Sequence, residues 1–193
     1  MQRPLAVVYA GRFQPFHAGH YAAWTSLCQR FGPETCWLAT SDRTGKATAW
    51  DRAAPFGFEE KRRIITGLFP VPPERVVRVR SPYAPAEVLA PLGPDVALVA
   101  ALGARDADRL SSRYWRPYAP DAPLLPAPEA GYVLVLPEQA GGLSGTALRA
   151  ALGDVGRPRP EREALFRDHY PVWNEEIATL ILDRLEQTSQ ERP

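Results

Sequence analysis

The sequence predicts a doubly wound α/β protein: a five-stranded parallel sheet with helices on both faces and a helical extension at the C-terminus. Three observations carry that expectation. Short apolar runs of strand length alternate with longer segments whose apolar residues recur at helical spacing. Right-handed crossovers between parallel strands place the connecting helices on the sheet faces. The composition suits one buried core, since 193 residues with 45% hydrophobic and 23% charged side chains match an ordinary globular domain.

The run LAVVYA, residues 5 to 10, is too short for a helix and stops at Gly11, so it reads as a buried first strand. From Gly19 to Phe31, Tyr21, Trp24, Leu27, Cys28 and Phe31 recur at helical spacing, and Gly32-Pro33 ends the helix. TCWLAT, residues 35 to 40, supplies a second strand, and Ser41 to Pro55 is polar and irregular. A second helix spans Phe58 to Phe69, with Phe58, Ile65, Leu68 and Phe69 on its apolar face. Glu59 and Glu60 sit in its first turn, and Lys61 to Arg63 lie behind them.

RVVRVR, residues 75 to 80, alternates as a third strand, Pro85 to Leu92 forms a short helix, and DVALVAAL, residues 95 to 102, is a fully buried fourth strand. After a proline-rich linker from Pro117 to Pro128, YVLVLP (132 to 137) is the fifth strand and Ser144 to Leu152 a helix. Trp173, Ile177, Leu180, Ile181 and Leu185 mark an amphipathic C-terminal helix. Residues 1–193 are thus expected as one domain, with a core over 1–152 and an extension over 153–193. The extension packs on the sheet or against a second subunit, which leaves a homo-oligomer open.

Charge narrows the function. Lys+Arg 23 against Asp+Glu 22 gives a net charge of +1, so no broad surface for nucleic acid or an anionic membrane is expected, and phosphate binding must be local. Cys28 and Cys36 form neither a C-x-x-C pair nor a metal spacing, which fits a reducing, cytoplasmic setting. The first residues lack the pattern of a secretory leader, and no apolar stretch is long enough to span a membrane. Lys46 and Lys61 are the only lysines in an otherwise arginine-based set of cations.

Ligands of doubly wound sheets bind beyond the carboxyl ends of the strands, which directs attention to the turn Gly11-Arg12-Phe13-Gln14-Pro15-Phe16-His17-Ala18-Gly19-His20. His17 and His20 stand three residues apart at a helix entrance, where unpaired backbone amides and the helix dipole favour an anion. Gly11 and Gly19 let the backbone approach closely, and Arg12 adds a fixed positive charge. A metal reading is weaker, because a histidine pair needs a third ligand and His169 lies far along the chain.

A second anion site is expected at Gly141-Gly142-Leu143-Ser144-Gly145-Thr146-Ala147-Leu148-Arg149. There Ser144 can cap the helix, the amides of Gly145 and Thr146 and the Thr146 hydroxyl converge, and Arg149 follows one turn on.

The first string resembles the G-x-F-x-P-x-H-x-G-H signature of the nucleotidyltransferase superfamily, with Gly11, Phe13, Pro15, His17, Gly19 and His20 matching. It looks most like nicotinamide mononucleotide adenylyltransferases of the archaeal and bifunctional type and their uncharacterised phage relatives. The second string is similar to the family's I-S-x-T-x-x-R element, with Leu143 in place of Ile. The resemblance covers roughly residues 5 to 152 and implies a Rossmann-like fold. It also implies attack by an acceptor phosphate on the α-phosphorus of a nucleoside triphosphate, with pyrophosphate released and no covalent enzyme intermediate.

In that reaction His17, His20, Arg12 and Arg149 are the expected catalytic groups. Gly11, Phe13, Gly19, Ser144, Gly145 and Thr146 would bind the nucleotide, and Mg²⁺ would be held chiefly by phosphates, with no protein side chain as its ligand. Gly103, Asp106 and Arg109 fall where relatives contact the nucleoside, although the Asp is one residue late. Gly103 as strand exit, Asp106 as helix cap and Arg109 as its solvated partner is an equal reading.

For the acceptor, Trp50, Phe56 or Tyr83 could stack on a flat ring or simply pack, and Arg43 and Lys46 could grip its phosphate or simply face solvent. The sequence lacks the Arg-Thr that precedes the second element in cytidylyltransferases, having Gln139-Ala140, which favours ATP over CTP. The resulting expectation is adenylyl transfer to a phosphorylated small molecule, with nicotinamide mononucleotide first and NAD the product. A cytidylyltransferase acting on a sugar or polyol phosphate and a non-catalytic nucleotide sensor are the alternatives.

Overall fold

A computed structural model describes residues 3–42, 54–108, 110, 112–137 and 144–190. In chain order its helices are α1 (Ala18–Phe31), α2 (Phe58–Leu68), α3 (Ala86–Leu89), α4 (Ala104–Ala107), α5 (Gly145–Leu152), α6 (Arg159–His169) and α7 (Glu175–Gln190). The chain divides into two compact units, one of Met1–Gly11, Ala22–Ser41 and Glu74–Ala140, the other of Arg12–Tyr21, Asp42–Pro73 and Gly141–Pro193.

The first unit holds the sheet: β1 (Leu5–Ala10), β2 (Cys36–Thr40), β3 (Val76–Arg78), β4 (Ala97–Gly103), β5 (Trp115–Pro117) and β6 (Gly131–Leu136). These strands run parallel in the order β3-β2-β1-β4-β6-β5. Val7 stands opposite Cys36 on one side and Val99 on the other. Residues Ala6–Ala10 and Ala97–Leu102 are all buried, so β1 and β4 are covered on both faces and their apolar runs need no alternation. One such face packs Ala6, Val8, Ala39 and Leu98 against Val79, Val88 and Val96. The order of strands reverses between β1 and β4, and the Gly11 amide bonded to the Ala39 carbonyl at 3.1 Å fixes how the chain leaves β1.

Six strands replace the expected five. The missed one, β5, has three residues, two of them exposed, and ends in Pro117, which is tolerated at a sheet edge but erases any strand signal. Gly131 makes its pairing feasible, because a Cβ there would collide with the rings of Tyr114 and Trp115.

The second unit is helical. Ile177, Ala178, Ile181, Leu182 and Leu185 of α7 are buried, and the helix packs against α2, α5 and α6. Within this unit, α2, α5 and α6 pack on the buried face of α7. Arg184 with Glu60, Arg162 with Glu186 at 2.8 Å and Arg159 with Asp183 at 2.5 Å add charged contacts along the same helix.

Helix α6 escaped the pattern of apolar residues because one of its inward positions is Arg162, only 5% exposed. Lys61, read only as following the acidic first turn of α2, is 2% exposed. None of the described helices is long and apolar enough to cross a membrane.

Candidate functional site

The second unit contains the first motif string from Arg12 onward and the second string, of which Ser144 to Arg149 are described. Immediately after β1, Phe13 adopts φ of +46°, a left-handed turn that costs a non-glycine residue about 1 kcal/mol and must be held by its surroundings. Gln14 does part of the holding: its Nε2 donates to the Phe56 carbonyl at 2.8 Å, and its Oε1 accepts from the Phe56 amide at 2.9 Å, both buried. Each such bond contributes about 1 kcal/mol. The rest is aromatic. Phe13 meets Phe16 and His20 edge-on at 5.2 Å, and Phe16 stacks on His20 at 5.3 Å. Phe13, expected to bind nucleotide, therefore presents a buried ring that braces His20.

The two imidazoles lie 3.8 Å apart between ring centroids. His17 Nδ1 accepts from the Gly19 amide at 3.2 Å, and His20 Nδ1 accepts from the His17 amide at 3.3 Å. A ring that accepts at Nδ1 is neutral and carries its proton on Nε2, so this bonding pattern assigns the same tautomer to both. Burial reinforces it: the His17 pKa is pushed down to about 4 by burial and by His169, and that of His20 well below its usual value by burial and then by His17. The pair at neutral pH is thus two uncharged N–H donors at the start of α1.

Helix α5 brings the second string to the first. Ser144 caps it, with Oγ accepting from the Ala147 amide at 3.0 Å. Arg149 then reaches back, donating Nη1–H to the Gln14 carbonyl at 2.5 Å and Nη2–H to Thr146 Oγ1 at 3.1 Å. Gly145 permits the approach, since a Cβ there would stand 3.3 Å from the Gln14 carbonyl oxygen and 3.6 Å from Arg149 Nη1. Burial and the nearby Arg12 both lower the Arg149 pKa. Two guanidiniums, two imidazole donors and the exposed N-terminus of α5 belong to one unit, and together they suit an anion with several oxygens.

Sequence reasoning missed two contributors to the site, His169 and Gln14, and the burial of Lys61 in the same unit. His169, set aside as distant, closes α6 and acts electrostatically on His17. Gln14 occupied an unspecified position of its motif, and nothing in the string marks it. Lys61 is buried, with its pKa pushed down to about 8 by desolvation and partly restored by Asp42, whose carboxylate accepts from the Phe58 amide at 2.9 Å. The scarcity of lysine was the available signal, because an amine, unlike a guanidinium, can meet burial by giving up its proton.

The first unit holds the other described candidates. Tyr83 donates to Asp106 Oδ1 at 3.2 Å, and burial with the Asp106 charge raises the Tyr9 pKa. Asp106 lies inside α4, whose cap is Gly103, so the cap reading of Asp106 gives way to a partner of Tyr83. Tyr83 packs with Ala10, Ala100 and Leu102, and Gly11 leads out of β1. Arg43, Lys46, Trp50 and Arg109 lie outside the described residues.

Among the described residues no group of three His, Cys, Asp or Glu side chains could hold a metal ion. The donors around His17 are basic and their Nδ1 atoms engaged, which offers a hard divalent cation no oxygen cage.

No protein-family model matches the chain, and no curated protein sequence matches it. Its fold resembles that of Plasmodium falciparum nicotinic acid mononucleotide adenylyltransferase complexed with NaAD, with a TM-score of 0.55 and 11% identity over 95% of each chain. The same enzyme complexed with APC aligns with a TM-score of 0.53 and 10% identity over 96% of each chain. The likeness shows that the chain shares the α/β fold of those structures.

Proposed function

From that fold and the geometry of the two motifs, we propose that the chain transfers an adenylyl group from ATP to a phosphorylated small molecule. Nicotinamide mononucleotide is the first acceptor, yielding NAD and pyrophosphate. The observation that carries the reading is the meeting of the two motifs: Arg149 of the second string bonded to Gln14 of the first, three residues before His17. The acceptor phosphate is ionised near neutral pH, so the step needs no general base. An oxygen of that phosphate attacks the α-phosphorus as the bond to the bridging oxygen breaks, and the electron pair leaves with pyrophosphate.

Neutral Nε2–H donors on His17 and His20 stabilise charge on the non-bridging α-phosphate oxygens without first having to lose a bound counter-ion. Arg12, Arg149, Thr146 and the α5 amides receive the departing pyrophosphate. Mg²⁺ belongs to the proposal as a companion of the triphosphate, whose oxygens would be its chief ligands.

The deciding assay mixes purified protein and Mg²⁺ with ATP or CTP and a panel of phosphorylated acceptors, nicotinate and nicotinamide mononucleotides included, and follows pyrophosphate. Turnover with ATP supports the reading. Turnover with CTP alone replaces it by cytidylyl transfer, and tight nucleotide binding with no turnover replaces it by a binding module.

A further inference from the structure

Gln14 is polar yet only 5% exposed, and it stands in a turn that belongs to neither strand nor helix. Its carboxamide is spent on one residue, with Nε2 donating to the Phe56 carbonyl at 2.8 Å and Oε1 accepting from the Phe56 amide at 2.9 Å. Holding both needs a donor and an acceptor on one planar head; a carboxylate or a hydrocarbon there would leave a buried backbone group unpaired. The anchor is itself fixed. Phe56 is fully buried, the Gly57 amide donates to Glu60 Oε2 at 2.8 Å, and the Phe58 amide donates to Asp42 Oδ1 at 2.9 Å. Beyond Gln14 the turn rests on rings: Phe16 packs edge-on against Phe69 at 5.2 Å, and Phe69 meets Tyr170 at 6.0 Å.

The main chain of Gln14 meets Arg149. Pro15 supplies the next nitrogen, so the peptide between them has no N–H and can be held only through its carbonyl. That carbonyl accepts from Arg149 Nη1 at 2.5 Å, while Nη2 donates to Thr146 Oγ1 at 3.1 Å. With both Nη atoms tied, the guanidinium plane is set, and its other N–H groups can serve an anion. Packed rings tolerate sliding, whereas hydrogen bonds weaken steeply off axis, so the carboxamide clamp is what aims the carbonyl.

We propose that Gln14 is the positioning residue of Arg149: its clamp on Phe56 fixes the carbonyl that seats the guanidinium, and thereby how Arg149 meets pyrophosphate. The assignment rests on the phosphate-transfer reading above. Gln14 itself needs no contact with substrate.

Calorimetric titration of the intact protein with sodium pyrophosphate tests this through a double-mutant cycle. Gln14→Met keeps the length of the side chain and removes both bonds. Gln14→Asn keeps the carboxamide on a stem too short to span both groups of Phe56, and it carries the test if the first variant does not fold. Either is expected to weaken pyrophosphate about tenfold, and by less than about twofold once Arg149→Met has removed the guanidinium. A merely structural Gln14 would cost the same factor in both backgrounds. That result, or an unchanged affinity in the single variants, overturns the inference and leaves the transferase reading standing. A wild-type protein that takes up no pyrophosphate removes both.

Discussion

Acidification tests whether His17 is held neutral. Its folded pKa of about 4 lies below the ordinary unfolded value of about 6.5. Between those values the unfolded chain binds a proton that the folded chain refuses, so stability is full above about pH 6.5 and is lost as pH falls toward 4. The whole gap corresponds to about 3 kcal/mol, and about 2 kcal/mol of it is gone by pH 5. Against a net stability of about 5 to 15 kcal/mol that is a large fraction.

Urea unfolding followed by tryptophan fluorescence at pH 7.5, 6 and 5 reads it out, with His17→Gln as reference. Carboxylates titrate alike in both proteins and cancel in the comparison. Because His17 also depresses the pKa of His20, the difference in pH slope belongs to the coupled pair. Equal slopes for wild type and variant would show that burial does not hold His17 neutral, and the picture of two uncharged donors would fall with it.

Four other outcomes are expected. His20→Ala should slow pyrophosphate release per folded molecule about 10² to 10³-fold in the ATP assay, since it removes a transition-state donor. Arg149→Lys should lower kcat/KM by about tenfold or more, because an ammonium cannot reproduce the fork to the Gln14 carbonyl and Thr146. Tyr170→Phe should leave stability unchanged or raise it by about 1 kcal/mol in urea melts, as it deletes a buried hydroxyl that has no partner. A chain ending at Leu152 should fail to unfold cooperatively: the five buried α7 side chains would be lost, most of them worth about 1.5 to 3 kcal/mol each, and α2 and α5 would be uncovered.

Much of this was legible in the residues. The apolar runs at Leu5 and Ala97 announced the two central strands because both faces of those strands are buried, which leaves composition as the only requirement. Ser144 was readable as a cap since its hydroxyl has a local partner three residues on. What failed to show depends on contacts distant in sequence. The Gln14 bonds reach across 42 residues to Phe56, and the Arg149 bond across 135 to Gln14. Phe13 matched its motif but gave no sign that its ring is buried against Phe16 and His20.

The division at residue 152 has a different origin. Motif resemblance ends there, and a boundary drawn on resemblance assumes that what is shared is what folds. Yet α6 and α7 belong to the same compact unit as residues 12–21, and the ring chain from Phe16 through Phe69 to Tyr170 links the first motif to the extension. The left-handed turn at Phe13 and the tilt of the His20 ring are held by Phe16, and Phe16 is held in part through Phe69 and the end of α6. The segment outside the motifs is therefore a structural condition for the donors inside them. Substitutions along α6 that leave both strings untouched should change how well His17 and His20 are aimed.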